Sequence, residues 1–207
     1  RISSINSLSA LCEKTGADID EISKAIGMDH RIGPHFLKAS VGFGGSCFKK
    51  DILNLVYLCQ YYDLNEVGEY WHQVIKINEY QKNRFANKII DFFDGNLKNK
   101  TIAILGWAFK ANTNDSRESP AIQVSKLLYE SGASLSIYDP MVPAKMIKKD
   151  INEFWNSNLN SDEFYSRISL KDNLGETMDC DVYVVLTEWD EFKNYNFSSK
   201  TVFDGRN

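Results

Sequence analysis

In the first half of the chain, apolar residues recur at helical spacing. They stand at Ile5, Leu8 and Leu11, then at Ile19, Ile22 and Ile26, and then along an amphipathic stretch from Ile52 to Phe93. Asp18 and Asp20 suit the first turn of the second helix, and Gly27 suits its C-cap. Between Met28 and Cys47 the periodicity stops, and Gly33, Pro34, Gly42, Gly44 and Gly45 predict an irregular loop. A loop of that length inside a compact domain is usually functional or disordered. After Gly95-Asn96 the pattern changes to short apolar runs: Thr101 to Leu105, Leu135 to Tyr138, Val182 to Leu186 and Thr201 to Phe203, with a helical run from Ala121 to Tyr129 ending at Gly132. Strands alternating with helices predict right-handed βαβ units and a parallel sheet. The fold class is α/β: a helical region over 1–95, dominated by one long helix after Cys47, followed by a Rossmann-like region over 96–207. Met141 to Asp172, rich in Asn, Ser and Lys, predicts no clear element.

Composition narrows the class of protein. With 43% hydrophobic and 25% charged residues in 207, the chain is globular, and 12 Gly with 4 Pro are too few for collagen-like or disordered sequence. The longest stretches free of Asp, Glu, Lys and Arg, Ile2 to Cys12 and Ile52 to Tyr62, fall well short of the roughly 20 apolar residues of a membrane span. A net charge of −4 without blocks of like charge disfavours nucleic acid as partner. Cys12, Cys47, Cys59 and Cys180 are too dispersed for a zinc ribbon or a disulfide framework, which points to a reducing, cytoplasmic setting. His30, His35 and His72 are scattered, so no metal is expected. No signal peptide is evident, and the opening Arg1-Ile2-Ser3-Ser4 already reads as helix, so an upstream part of the protein is expected.

The densest chemistry lies in Gly42-Phe43-Gly44-Gly45-Ser46-Cys47-Phe48-Lys49-Lys50-Asp51. Glycines let backbone approach a ligand, and Ser46 can cap the helix that follows. Cys47 then falls at a helix N-terminus, where partial positive charge favours a thiolate, and Lys50 pushes the same way. Asp51 lies one turn on, close enough to position water but opposing thiolate formation. Read on its pattern alone, the segment is equally a glycine-rich turn with a small buried cysteine.

This segment closely resembles the active-site signature of the nucleotide-sugar dehydrogenases. Met28 to Gly33 and Phe36 to Val41 are similar to the UDP-glucose-oxidising branch in its animal-like form. The likeness continues through Gly106-Trp107-Ala108-Phe109-Lys110, Asp115 to Ser119, Tyr138-Asp139-Pro140, Thr187-Glu188-Trp189-Asp190 and Phe203-Asp204-Gly205-Arg206, in order along nearly the whole chain.

The resemblance implies an NAD-dependent enzyme that oxidises the primary alcohol of UDP-glucose to UDP-glucuronate in two steps, through a thiohemiacetal and a thioester on Cys47. It makes Asp51 the acid that positions water. It implies substrate contacts from Arg31, across a subunit boundary, from Lys38, Ala39, Ser40, Val41, Gly42, Phe43 and Gly44, and from Phe109, Lys110 and Arg206. It places Cys47, Phe48, Lys49, Lys50 and Arg117 on the cofactor side, with Lys49 standing where relatives often carry Gln. A homodimer or higher oligomer follows from the family, as does a main NAD site outside these residues. In agreement, the turn after Thr101–Leu105 keeps only Gly106 of a G-x-G-x-x-G fingerprint, which does not support pyrophosphate binding there, and the resemblance implies that this region holds the uridine nucleotide. These 207 residues alone are therefore expected to be inactive. Two other readings share the motifs: a dehydrogenase of GDP-mannose or a UDP-amino sugar, and a non-catalytic nucleotide-binding module.

Overall fold

The computed structural model describes residues 1–155, 165–177, 179–197 and 200–206. Helix α1 (Ile2–Thr15) stops at Gly16, whose φ of 75° only glycine adopts cheaply and whose amide returns to the Cys12 carbonyl. Helix α2 (Ile19–Gly27) is capped by the Asp18 carboxylate, which accepts from the amides of Asp20 at 2.7 Å and Glu21 at 3.4 Å. Gly27 is its last residue, and the C-cap falls one position later, on Met28.

The amphipathic run after Cys47 is two helices, not one: α3 (Phe48–Tyr61) and α4 (Asn65–Phe92). The break comes at Asp63, which takes a left-handed φ of 56°, while the Leu64 amide bonds back to the Cys59 carbonyl at 2.8 Å. Aspartate tolerates that conformation better than most side chains, and the hydrophobic period passes through the turn almost unbroken. Gly68 on α4 then lets the two helices close, since a Cβ there would stand 3.3 Å from the Cys59 Cβ.

The second half holds a five-stranded parallel sheet in the order β3-β2-β1-β4-β5, formed by β1 (Thr101–Leu105), β2 (Ser134–Tyr138), β3 (Ile168–Leu170), β4 (Val182–Val185) and β5 (Thr201–Asp204). Helices α5 (Pro120–Glu130), α6 (Ala144–Phe154) and the short α7 (Asp190–Lys193) connect them. Ile102, Ile104, Leu105, Leu135, Ile137 and Val184 are almost wholly buried, each side chain contributing roughly 1.5–3 kcal/mol by leaving water. Ala86 and Ile89 of α4 enter the same core, so the long helix is anchored to the sheet.

The segment from Met141 to Asp172, which predicted no element, contributes α6 and β3, with residues 156–164 outside the described part. Its periodicity is there in retrospect, because Ile147 and Ile151 are buried one turn apart on an otherwise charged helix. Strand β3 is a three-residue edge strand only partly buried, too short to print an apolar pattern.

Candidate active site

The chain runs from β1 outward to β2 on one side and crosses to β4 on the other, so the carboxyl ends of β1 and β4 border a topological switch point, where open α/β sheets bind ligands. Gly106 follows β1 with φ 97°, and a Cβ there would lie 2.4 Å from the Thr187 side chain. The Thr187 hydroxyl donates to the Ala108 carbonyl at 2.6 Å. Asp139, at the end of β2, accepts from the amides of Trp107 (2.6 Å), Ala108 (2.9 Å), Met141 and Val142 (both 2.8 Å) and from the Trp189 indole (3.2 Å).

In a dinucleotide-binding turn those first amides would face a pyrophosphate. Here a carboxylate consumes them and a threonine fills the space over the glycine, so this turn does not fit NAD. The motifs Tyr138-Asp139-Pro140 and Thr187-Glu188-Trp189-Asp190 thus fasten the strand ends to one another.

Arg206, just after β5, is mostly buried. Its Nε donates to the Leu186 carbonyl at 2.7 Å, its Nη2 donates to the Phe109 carbonyl at 2.8 Å, and Glu188 stands 3.2 Å from Nε. Burial pushes the guanidinium below its ordinary pKa, against the raising influence of Glu188 and Asp204. Two carbonyls leave Arg206 further N–H donors for a ligand.

The glycine loop is laid over this edge by buried amide side chains. The Ser40 amide donates to Asn6 Oδ1 at 2.8 Å, and the Ser40 carbonyl accepts from Gln81 Nε2 at 2.9 Å. Asn78 takes the Phe43 amide at 2.9 Å and donates to the Phe43 carbonyl at 3.0 Å. The Val41 amide reaches the Gly205 carbonyl at 2.7 Å, and the Gly45 amide reaches the Arg117 carbonyl at 2.8 Å. Gly44 is pressed so closely onto the α/β part that a Cβ would sit 2.5 Å from the Glu118 carbonyl oxygen. Side chains consequently alternate along the segment: Ala39 and Val41 are buried at 5% and 2% exposure, while Lys38 and Ser40 turn to the cleft.

That cleft, about 260 Å³, is lined by Lys38, Ser40, Gly42, Phe43, Gly44 and Phe48 from the helical half and by Phe109, Glu188 and Arg206 from the α/β half, with Ile2 and Phe36 at its edge. Two cations and one carboxylate give it a positive balance, suited to an anionic ligand. Cys47 stands beside it rather than in its wall. Cys47 itself is the N-cap of α3, and neither it nor Ser46 caps the helix with a side-chain bond: Ser46 Oγ lies 3.6 Å from Cys47 Sγ instead. Ser46 is therefore not the cap expected of it. The N-terminus of α3 thus lacks a side-chain cap beside an exposed thiol, and Asp51, also exposed, has its own amide bonded to the Cys47 carbonyl at 2.8 Å.

The other expected site residues lie as follows. Lys49 is held by Glu118 at 2.8 Å, which binds the first turn of α3 to the loop bearing Arg117, while Lys50 is exposed. Arg117 is fastened to Asp115 at 2.7 Å; that bond raises its guanidinium pKa, and the nearby Cys47 adds to the shift. Lys110 is exposed and placed over the Phe109 ring at 5.5 Å, outside the cleft wall. Arg31 forks onto Asp29 and does not line this chain's own cleft. Among the described residues, groups of His, Cys, Asp and Glu that could hold a metal ion are absent.

Sequence reasoning missed Asn6, Asn78 and Gln81, and gave Glu188 no role. The signal lies in α4, where Asn78 and Gln81 interrupt the buried face that Ile75, Ala86 and Ile89 otherwise define.

A parallel α/β unit with a cleft at its switch point, bordered by a cysteine-bearing glycine loop from a preceding helical region, places the chain among the open-sheet α/β proteins that bind ligands at that position. The chain belongs to the UDP-glucose/GDP-mannose dehydrogenase family: the profile of the family's central domain matches residues 1–80 and that of its UDP binding domain matches residues 103–207. It is 51% identical to UDP-glucose 6-dehydrogenase 2 of Arabidopsis thaliana, covering all of this chain and 46% of that protein. It is 50% identical to the UDP-glucose 6-dehydrogenase of Mus musculus, again over all of this chain and 43% of the relative. Likeness to the animal proteins is thus matched by likeness to plant ones. The fold matches a UDP-glucose dehydrogenase of the hyperthermophilic archaeon Pyrobaculum islandicum with TM-score 0.82 and 30% identity, over all of this chain and 44% of that one. A GDP-mannose dehydrogenase of Pseudomonas aeruginosa, at 23% identity and TM-score 0.61 over 99% of this chain and 46% of that one, shares the fold. The chain spans less than half the length of these relatives.

Proposed function

We propose that these 207 residues are the substrate-binding and dimerisation part of an NAD-dependent UDP-glucose 6-dehydrogenase. The observation that carries the reading is an exposed thiol at an uncapped helix N-terminus, at the rim of a cationic cleft that the glycine loop closes. We divide the chain into a helical region, 1–95, and a UDP-sugar-binding region, 96–207, acting in the cytoplasm, where free thiols persist.

In this reading Lys38 and Arg206, which line the cleft, hold the UDP moiety by charge-assisted bonds, Lys110 reaches it from outside the wall beside Phe109, and Phe109 and the backbone from Lys38 to Gly44 enclose the sugar. Ala39 and Val41 act through their main chain, because their side chains are buried on the opposite side. The sugar's C6 then meets Cys47. A first hydride transfer to NAD, with loss of the hydroxyl proton, would convert the C6 alcohol to the aldehyde. The Cys47 thiolate adds to it to give a thiohemiacetal, and a second hydride transfer to a second NAD would leave a thioester, which water positioned by Asp51 splits, releasing the carboxylate and the thiol. Bound NAD supplies the hydride acceptor, and Lys50, Arg117, Phe48 and Lys49 are the groups of this chain on its side. The consumed amides of the β1 turn support a main NAD site outside these residues, so the 207 residues alone should not reduce NAD.

UDP-glucose is favoured over GDP-mannose or a UDP-amino sugar because the relatives named for UDP-glucose stand at 50–51% identity, and the solved structures named for the other sugars at 19–23%. Thermal shift against UDP-glucose, UDP-N-acetylglucosamine, GDP-mannose and NAD tests this. A ligand at about 100 times its dissociation constant adds about 2.7 kcal/mol of stability. Stabilisation by UDP-glucose is expected. No shift with any nucleotide sugar would overturn the reading, and NADH production by the chain alone would overturn the placement of the cofactor site.

A further inference from the structure

Asn78 sits in the middle of α4 with 5% of its surface exposed, where an asparagine is a poor helix former and a buried amide is costly unless both its ends are bonded. Both are bonded, and to a single residue: Oδ1 takes the Phe43 amide and Nδ2 donates to the Phe43 carbonyl, at 2.9 and 3.0 Å. The neighbouring Gly42 leaves room for this arrangement, since a Cβ there would lie 2.8 Å from Asn78 Oδ1 and its φ of 131° disfavours other residues. Phe43 in turn sets its ring edge-on against Phe48, at 5.7 Å between centroids, and Phe48 is the first residue of α3 after Cys47. One helical turn on, Gln81 grips Ser40 in the other half of the same loop. The two clamps are therefore separable: one fixes the Cys47 end of the cleft, the other the end that holds Lys38.

We propose that Asn78 is a positioning residue that sets the Phe43–Phe48 wall and so fixes how the sugar end of the ligand is seated beside Cys47, without taking part in holding the nucleotide end. The proposal rests on the functional reading above. It predicts a split between ligands that share the UDP group, since in that reading the sugar and not the UDP group meets the Phe43 end, whereas a general loosening of the fold would weaken both.

The test compares wild type with Asn78→Asp and Asn78→Ala, the first retaining an acceptor for the Phe43 amide, the second removing both bonds without burying a charge. Calorimetry should show UDP-glucose affinity falling by about tenfold or more, of the order expected when a buried hydrogen-bonded pair is lost, with UDP affinity changed less than about twofold. Hydrogen exchange of the ligand-free chain should rise in peptides spanning 42–48 and stay unchanged in those spanning 101–105. Gln81→Ala should instead loosen 38–41. UDP and UDP-glucose weakening together, neither weakening, exchange rising throughout, or failure of both Asn78 variants to fold would each overturn the proposal in favour of a purely structural Asn78. If wild type binds neither ligand, the functional reading is what fails, and the exchange measurement still decides whether Asn78 holds the loop.

Discussion

Of the four thiols, Cys12, Cys59 and Cys180 are buried and Cys47 is exposed. Iodoacetamide at neutral pH is therefore expected to label Cys47 first in the native chain, and bound UDP-glucose to slow the reaction; peptide mapping that found another cysteine modified earlier would remove the main support for a nucleophile there. Because Cys47 borders the cleft without lining it, Cys47→Ala should leave UDP-glucose affinity nearly unchanged while abolishing turnover of the intact enzyme. A second residue, Tyr138, contributes to stability on the alkaline side. Burial, together with the Glu191 carboxylate that accepts from the Tyr138 hydroxyl at 3.0 and 3.2 Å, pushes Tyr138 up to about 12. The folded protein thus holds the phenol neutral where the unfolded chain, with a pKa of about 10, would ionise it. That contribution is whole below about pH 10 and is lost as pH rises toward 12, at most about 2–3 kcal/mol at 1.36 kcal/mol per pKa unit. Urea unfolding between pH 9 and 12, a range that brackets about 10 and 12, should show a shallower alkaline decline in Tyr138→Phe than in wild type. Cys47 was legible because its glycines, lysine and carboxylate all sit within one short segment. Asn78 was not, because its partner Phe43 lies 35 positions away in the chain and the contact is made to backbone, which carries no residue-specific pattern.

The elements were legible where one periodicity governed them and illegible where two met. The strands β1, β2 and β4 are buried on both faces and print as apolar runs, and α5 announces itself by Ser119 at the N-cap, accepting from the Ala121 amide, and Pro120 behind it. The α3–α4 break was hidden because a single left-handed Asp63 reverses the chain without a proline or glycine to mark it. At this scale the glycine loop depends on close backbone contact, so Gly44→Ala must move either the loop or the Glu118 carbonyl, which a Cβ would approach to 2.5 Å. It should cost roughly 1–3 kcal/mol, as overpacking does, read as a lowered urea midpoint together with weaker UDP-glucose binding by calorimetry. The Lys49–Glu118 pair ties the same two elements through side chains that are about one-third exposed. Lys49→Gln, which keeps the length of the side chain nearly unchanged and removes its charge, should therefore lower stability by less than about 1 kcal/mol by urea denaturation.

At the scale of the molecule, the sheet and the C-terminal half of α4 share one core, while α3 and the start of α4 bury only part of what they carry. Leu53, Tyr57, Leu58, Tyr61, Leu64, Val67, Tyr70 and Trp71 are all exposed, crowded onto one helical hairpin on a chain whose net charge is only −4. Single exposed apolar residues need no explanation, but a contiguous set of this kind, rich in tyrosine and tryptophan, has the composition of an interface. The same assembly would give Arg31 a use: its guanidinium, forked onto Asp29 and 78% exposed, does not line its own cleft and stands where it could meet a neighbour's. A dimer formed through the hairpin, burying a standard interface of about 1,600 Å², is expected to appear by light scattering at concentrations on the order of tens of micromolar. Tyr70→Glu together with Trp71→Glu should yield a monomer of unchanged melting profile in its sheet-centred core, because neither side chain belongs to that core. If Arg31 acts across the boundary, the same double variant should also weaken UDP-glucose binding, and Arg31→Ala should do so without dissociating the dimer. A strict monomer in the wild type would remove the interface and leave Arg31 without a ligand to hold.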